Sequence, residues 1–309
     1  MPALCLLLLF AAPLRADTLD PFAGSQAGPL LFTAKNWAGY VAEVDFDSPV
    51  SNSVTSVSGA WTVPGVTPSI WPAANVSGQQ ASSVAWVGID GFIGSGTVEQ
   101  IGTESYMLNG VAHYYAWYEM YPSGLTLIPS MSVSPGDSIA ASVQYSPPGY
   151  ANEFQLSITD STNGQTYTTY QTNSSALMTS AEWIMEAPTI GTTFAPLPTF
   201  GSIAFTGAQA TIGSTTGGID NSAWQYEQVN MRDNNSPSWS DSMLAGPVAT
   251  SGTGDAAVSS FTVYQTPEPS SLACLAAAAA VLVGGRWVRK RIERKEDGRK
   301  ESALILRTG

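Results

Sequence analysis

The central part of this 309-residue chain holds almost no cysteine, histidine or positive charge. Cysteine occurs only as Cys5 and Cys274, one near each end, so the body between them has no disulfide, thiolate nucleophile or cysteine metal site. His113 is the single histidine, which excludes a multi-histidine zinc site and would have to serve any Ser-His-Asp triad. Its neighbours Tyr114 and Tyr115 fit a structural or surface role better than a catalytic one. From Asp17 to Tyr264 the only bases are Lys35 and Arg232 against nineteen acids, a formal charge of -17. Such a body repels nucleic-acid phosphates, so no nucleic-acid partner is expected. Charged residues make up 12% of the chain, too few for a coiled coil, a helix bundle or a disordered polyelectrolyte.

Both ends differ from the body. The apolar run Pro2 to Ala12, followed by Pro13-Leu14-Arg15-Ala16, reads as an export signal over residues 1–16 with cleavage near Ala16. Residues 17–35, with Pro21, Gly24 and Pro29, read as a short leader. Leu272 to Gly285 is uncharged, and as a helix it would cover about 21 Å. Arg286, Trp287 and Val288 would extend it by snorkelling toward the roughly 30 Å of a bilayer core. Arg289-Lys290-Arg291, Arg294 and Lys295 then form a basic stop on the cytoplasmic side. With Pro267-Glu268-Pro269 ahead of the helix, residues 265–309 resemble the PEP-type carboxy-terminal sorting tails of exported bacterial proteins. The resemblance implies a Gram-negative source and a sorting protease of the inner membrane as partner. It also implies a body tethered transiently by its tail, then secreted or held at the cell surface or extracellular matrix.

The body is built of short runs rich in β-branched and aromatic residues, separated by Gly, Pro, Asn and Ser. Strands are expected over 42–46, 54–63, 83–89, 114–121, 138–145, 181–186, 203–212 and 259–264. Residues 154–160 alternate, and Asn163-Gly164 signals a tight turn into 166–171, which predicts a hairpin. Residues 191–199 and 234–238 read as loops. No amphipathic helix is evident, so the fold class is all-β, with two packed antiparallel sheets burying the strands.

Catalytic candidates must come from carboxylates, amides and aromatics. Alternation places Glu182, Ile184 and Glu186 on one face of a strand, with Trp183 and Met185 on the other. The residues alone leave four readings open: a peptidase, a carbohydrate-binding lectin-like surface protein, a glycoside hydrolase using Glu119 and Glu186 across a sugar-sized cleft, or an inert surface-matrix protein.

Six stretches occur in order: Asn36 to Val41, Trp61-Thr62-Val63-Pro64, Trp86 to Gly91, Gln100 with Gly102, Trp117 to Pro122, and Ala181 to Glu186. In sequence and spacing they resemble the glutamic peptidases of family G1, the eqolisins. The resemblance covers the domain 36–264 and implies a concanavalin-like (lectin-like) β-sandwich of two large sheets acting as an acid endopeptidase on proteins or peptides. It places the catalytic glutamate at Glu186 and the catalytic glutamine at Gln100, with an activated water, no covalent intermediate, no metal and no cofactor. Trp37, Trp86, Asp90, Glu104 and Glu119 fall at or near the groove, and Glu182 reads as a neighbouring or surface residue. A monomer is expected. The fungal members carry disulfides and a basic propeptide, which this chain lacks.

Overall fold

The computed structural model describes residues 14–15, 32–69, 77–232, 243–249 and 259–265. The export signal apart from Leu14–Arg15, the leader as far as residue 31, the loop at 234–238 and the sorting tail after Gln265, which ends β19, lie outside the described residues. Among the described residues no helix is long and apolar enough to cross a membrane.

In chain order the strands begin with β1 (Leu14–Arg15), β2 (Phe32–Ala34), β3 (Trp37–Glu43), β4 (Val54–Thr62), β5 (Ala81–Ile89), β6 (Val98–Leu108) and β7 (Val111–Tyr121). They continue with β8 (Thr126–Leu127), β9 (Ser138–Tyr145), β10 (Phe154–Asp160), β11 (Gln165–Gln171), β12 (Ser180–Glu186), β13 (Thr189–Ile190) and β14 (Thr193–Phe194). Last come β15 (Ser202–Ile212), β16 (Thr215–Gly217), β17 (Gln225–Arg232), β18 (Met243–Ala249) and β19 (Phe261–Gln265). The expected hairpin is β10 and β11, paired from Phe154 with Gln171 to Asp160 with Gln165.

One open hydrogen-bonded path runs β11-β10-β9-β4-β15-β19-β18-β17-β3-β12-β5-β6-β7-β8, antiparallel throughout; β2 joins β17 in parallel. The path folds into two layers. β4, β9 and β10 pack over β5, β6 and β12, with β15 beside them. Trp61, Val87, Ile101, Ile139, Phe154, Trp183 and Phe205 fill the space between. Buried indoles bring their own polar requirement to this core. Trp183 Nε1 donates across the layers to the Ser58 carbonyl at 2.7 Å, and Trp61 Nε1 donates to Thr103 Oγ1 at 2.9 Å.

The two layers differ in how their strands are buried. β10 alternates buried and half-buried positions, as a strand with one covered face should. β3, β5 and β12 are buried at every residue. Their second face carries another cluster, with Trp37, Val41, Val84, Trp86, Trp117, Ile184 and Val229, capped by Phe32 and Phe92.

Several strands differ from the expected set. The first body strand runs over Trp37–Glu43 rather than 42–46, since the stretch from Trp37 to Glu43 is what pairs with β12. β6, β17 and β18 were not expected. In β6, polar Glu99, Gln100, Thr103, Glu104 and Ser105 are buried on both faces, which erases the alternation a half-exposed strand would show. β18 contains Pro247, ordinarily a mark against a strand.

Close approach of β5 and β6 depends on Gly102. A Cβ there would lie 2.2 Å from the Ala85 carbonyl oxygen and 2.7 Å from Trp86 Cβ. The backbone contact cannot swing away as a side chain would, so Gly102→Ala is expected to destabilise the protein by about 2–4 kcal/mol. Urea unfolding of the two proteins measures this, and an unchanged midpoint would contradict the packing.

Candidate active site

The second face of β3, β12, β5, β6 and β7 collects the chemistry, and strand register sorts it into rows. In one row Trp37, Glu186, Val84, Glu104 and Tyr115 stand side by side. Two residues along, Gly39, Ile184, Trp86, Gly102 and Trp117 form the next. Two further on come Val41, Glu182, Gly88, Gln100 and Glu119. The expected alternation in β12 is observed: Trp183 and Met185 enter the inter-layer core, while Ile184 joins the cluster on this face.

Two glycines leave room for an indole. A Cβ on Gly88 would lie 2.8 Å from Trp86 Cζ3 and 3.2 Å from Gln100 Cβ. One edge of the Trp86 ring therefore borders Gln100. At its other edge Nε1 donates to Glu186 Oε2 at 2.8 Å. The indole thus spans the diagonal between the row of Gln100 and the row of Glu186, and Trp37 packs on it edge-on with centroids 5.0 Å apart.

Glu186 receives a second donor. Asn36 Nδ2 lies 3.4 Å from Oε1, and the Asn36 carbonyl accepts the Ala187 amide at 2.8 Å, which fixes the residue that carries the donor. Trp86 and Asn36 thus supply this fully buried carboxyl with two hydrogen-bond donors. Asn36 was a landmark of the sequence without an assigned role. Its reach to a residue 150 positions away is set by β3–β12 register, which composition does not reveal.

Gln100 and Glu119 are brought together. Both are fully buried, and Gln100 Nε2 donates to Glu119 Oε2 at 3.2 Å, which orients the amide. Glu119 and Glu186 are not opposed: two strands, β5 and β6, lie between theirs, and four register positions separate them. Glu104 accepts from Gln80 Nε2 at 3.0 Å and from the Ser82 hydroxyl, both on Oε1. Burial pushes its pKa up to about 8 despite those two donors.

Asp90 has a different task. Its Oδ2 accepts the Leu177 and Met178 amides at 2.7 Å each, and its Oδ1 accepts the Thr179 amide at 2.9 Å and hydroxyl at 3.1 Å. The residue has a φ of 69° and starts the turn out of β5, so its carboxylate ties that turn to the chain entering β12. Its charge is felt by a ring of buried acids. Burial pushes Glu43 up to about 8, with repulsion from Asp90 and Asp45 adding to it. Glu99 is raised well above its ordinary value by burial and by Asp90, against a hydrogen bond from Asn173. Glu182 is fully buried, which rules out the surface position considered for it. Burial raises it well above the usual carboxylate range; the nearby Ser180 hydroxyl opposes this, and Asp90, Glu43 and Glu99 add to it. Among the described residues no three His, Cys, Asp or Glu side chains are grouped to hold a metal ion.

A model of the Peptidase A4 family matches residues 35–281. This chain belongs to the Peptidase A4 family. Aspergillopepsin-2 from Aspergillus niger is 30% identical to it over 210 residues, 63% of this chain and 71% of the relative. The crystal structure of scytalido-glutamic peptidase with a peptide-based transition-state analogue superposes with a TM-score of 0.54 at 23% identity, over 75% of this chain and 98% of that one. Aspergilloglutamic peptidase from Aspergillus niger superposes with a TM-score of 0.50 at 26% identity, over 60% of this chain and 99% of the other. The β-sandwich expected from the resemblance is thus the observed architecture. In this A4 peptidase the row geometry unites Glu186, Trp86, Asn36, Gln100, Glu104 and Glu119 on one face, while Asp90 braces a turn at its edge.

The buried acids make stability depend on pH. Glu43, Glu99, Glu104 and Glu182 hold their protons more tightly in the folded chain than in the unfolded one. Their contribution is complete below an unfolded carboxyl pKa of about 4.5 and is lost as pH rises through about 8. Calorimetric scans from pH 3 to pH 8 are therefore expected to show Tm falling by roughly 10 °C or more across that window. A Tm that is flat or rises toward neutral pH would contradict the burial of neutral acids.

Proposed function

We propose that this A4 peptidase is an acid-acting endopeptidase of the glutamic type, in which Glu186 and Gln100 activate a water against the scissile peptide carbonyl. The observation that carries the reading is the pair of donors on Glu186, Trp86 Nε1 at 2.8 Å and Asn36 Nδ2 at 3.4 Å. A base must be ionised when substrate arrives, and among these buried carboxyls Glu186 has indole and amide donors to keep it so. The inhibitor-bound and peptidase relatives support the same substrate class.

The chemistry follows from the rows. By ideal strand spacing the Cα atoms of Gln100 and Glu186 lie about 16 Å apart, a gap that two inward-reaching side chains narrow to the span of a water and a peptide carbonyl. Glu186 takes a proton from the water as its oxygen bonds to the carbonyl carbon. Gln100, oriented by Glu119, donates its amide hydrogen to the oxygen that becomes negative. Trp86, itself fully buried, packs beside Glu186 and keeps bulk water from the carboxyl. The step proceeds by attack of water itself, with no acyl-enzyme. We further propose that the enzyme acts as a monomer exported from a Gram-negative bacterium, with residues 265–309 as its sorting tail. The Pro267-Glu268-Pro269 motif and the basic cluster that follows support this.

Two tests address the dyad. Glu186→Gln and Gln100→Ala are each expected to lower kcat/KM on an unfolded protein at acid pH by about a hundredfold or more, with the fold intact by circular dichroism. Full activity in either variant would sink the assignment. Trp86→Phe removes one donor from Glu186 while keeping an aromatic side chain in the cluster. The acid limb of its kcat/KM profile is expected to move to higher pH, and a limb that stays in place would show that the indole does not hold the charge.

A further inference from the structure

Strand register carries the site face past the row of Glu186. β12 ends at Glu186 and β3 begins at Trp37, but β5, β6 and β7 run on. The next row on them holds Ser82, Tyr106 and His113. Met107 and Tyr114, which alternate with these residues, turn to the inter-layer core, where the Tyr114 hydroxyl accepts the Val66 amide at 3.1 Å. On the site face Tyr106 and His113 lie flat against one another, with centroids 4.6 Å apart and planes 14° from parallel. Tyr115, in the row of Glu186, meets Tyr106 edge-on at 5.8 Å and packs on the cluster of Trp86 and Trp117. Burial, and after it the Glu104 carboxyl, raise the pKa of the Tyr106 hydroxyl, which agrees with a ring set against that same row. An unbroken aromatic path thus leads from the indoles beside Glu186 to the only histidine of the chain.

The far end of this path is open. Tyr106, His113 and Tyr115 are half-buried, whereas Trp37, Trp86 and Trp117 are fully buried. Among the described residues no strand lies beside His113 on its outer side, because β8 pairs only with Trp117 and Tyr118. Stacked rings that the core does not enclose attract a further ring by more than the area it buries. We propose that Tyr106 and His113 form a subsite that takes an aromatic side chain of the substrate at a distance from the cleaved bond. The proposal rests on the Glu186–Gln100 reading for that distance. By ideal strand spacing the stack lies about 15 Å from the middle of the Gln100–Glu186 gap, the reach of roughly four or five residues of extended peptide. Neither ring moves a proton in the reaction. They select among sequences by binding, and the single histidine acts in recognition.

The experiment uses peptides that share one scissile bond and carry a single Phe or Ala at each of the five positions on either side of it. The readout is the Phe-to-Ala ratio of kcat/KM, which does not depend on the fraction of enzyme that folds. Wild type is expected to favour Phe about tenfold at the fourth or fifth position on one side. Tyr106→Ala and His113→Ala are each expected to bring that ratio close to one, while Tyr106→Phe and His113→Phe, which keep a ring, retain most of it. A wild-type ratio near one at both positions on both sides, a ratio that survives both alanine variants, or a change confined to residues flanking the bond would overturn the subsite. Glu186→Gln on the Ala peptide reports the dyad separately. Full activity there overturns the dyad, whereas the ratio is read on enzymes that keep both dyad residues, so the two failures are told apart.

Discussion

A β-sheet buried on both faces is the constraint from which the rest follows. β3, β5 and β12 have no exposed residue, yet they and β6 carry Glu43, Glu99, Glu104, Glu182 and Glu186. A carboxyl in such a place is tolerable only if donors surround its charge or a proton removes it. Asp90 is met by three backbone amides, and Glu186 by Trp86 and Asn36. Glu43, Glu99, Glu104 and Glu182 take the proton. The sheet thus gathers buried carboxyls with very different hydrogen-bond surroundings, and the candidate site lies among them.

Antiparallel pairing explains why residues scattered over some 150 positions converge. Asn36 and Trp37 begin β3, Glu186 ends β12, Trp86 lies in β5, Gln100 and Glu104 in β6, and Trp117 and Glu119 in β7. These strands are neighbours in the order β3-β12-β5-β6-β7, although β12 comes late in the chain. Insertion of β12 between β3 and β5 brings the Ala181 to Glu186 stretch beside the Trp86 block. The opposite layer, typified by β10, has plain alternation and carries none of the site.

This division also governs how much was legible in the sequence. Strands with one covered face, such as 154–160 and 138–145, announce themselves by period two. Which face Glu186 shares with Glu182, away from Trp183, could be read from the same rule. β6 could not, because its buried polar residues imitate a loop, and so the strand that carries both Gln100 and Glu104 was visible only as a motif. Register is likewise absent from a single sequence. The reach of Asn36 to Glu186, the bracing work of Asp90 and the depth of Glu182 all depend on which residues stand opposite one another.

The scarcity of positive charge then has a structural meaning beyond its effect on partners. With Lys35 and Arg232 as the only bases from Asp17 to Tyr264, the fold has almost no cations with which to neutralise its buried acids. Buried ion pairs, the usual alternative, would in any case cost desolvation on both sides. Protons are left as the counter-charge, and they are abundant only at low pH. The formal -17 therefore overstates the charge of the folded body in acid, since the interior glutamates contribute nothing while they remain protonated. The same condition leaves Glu104 with a proton, since burial pushes its pKa up to about 8. Low pH on this account stabilises the fold, because the protons that neutralise Glu43, Glu99, Glu104 and Glu182 are held more tightly in the folded chain than in the unfolded one.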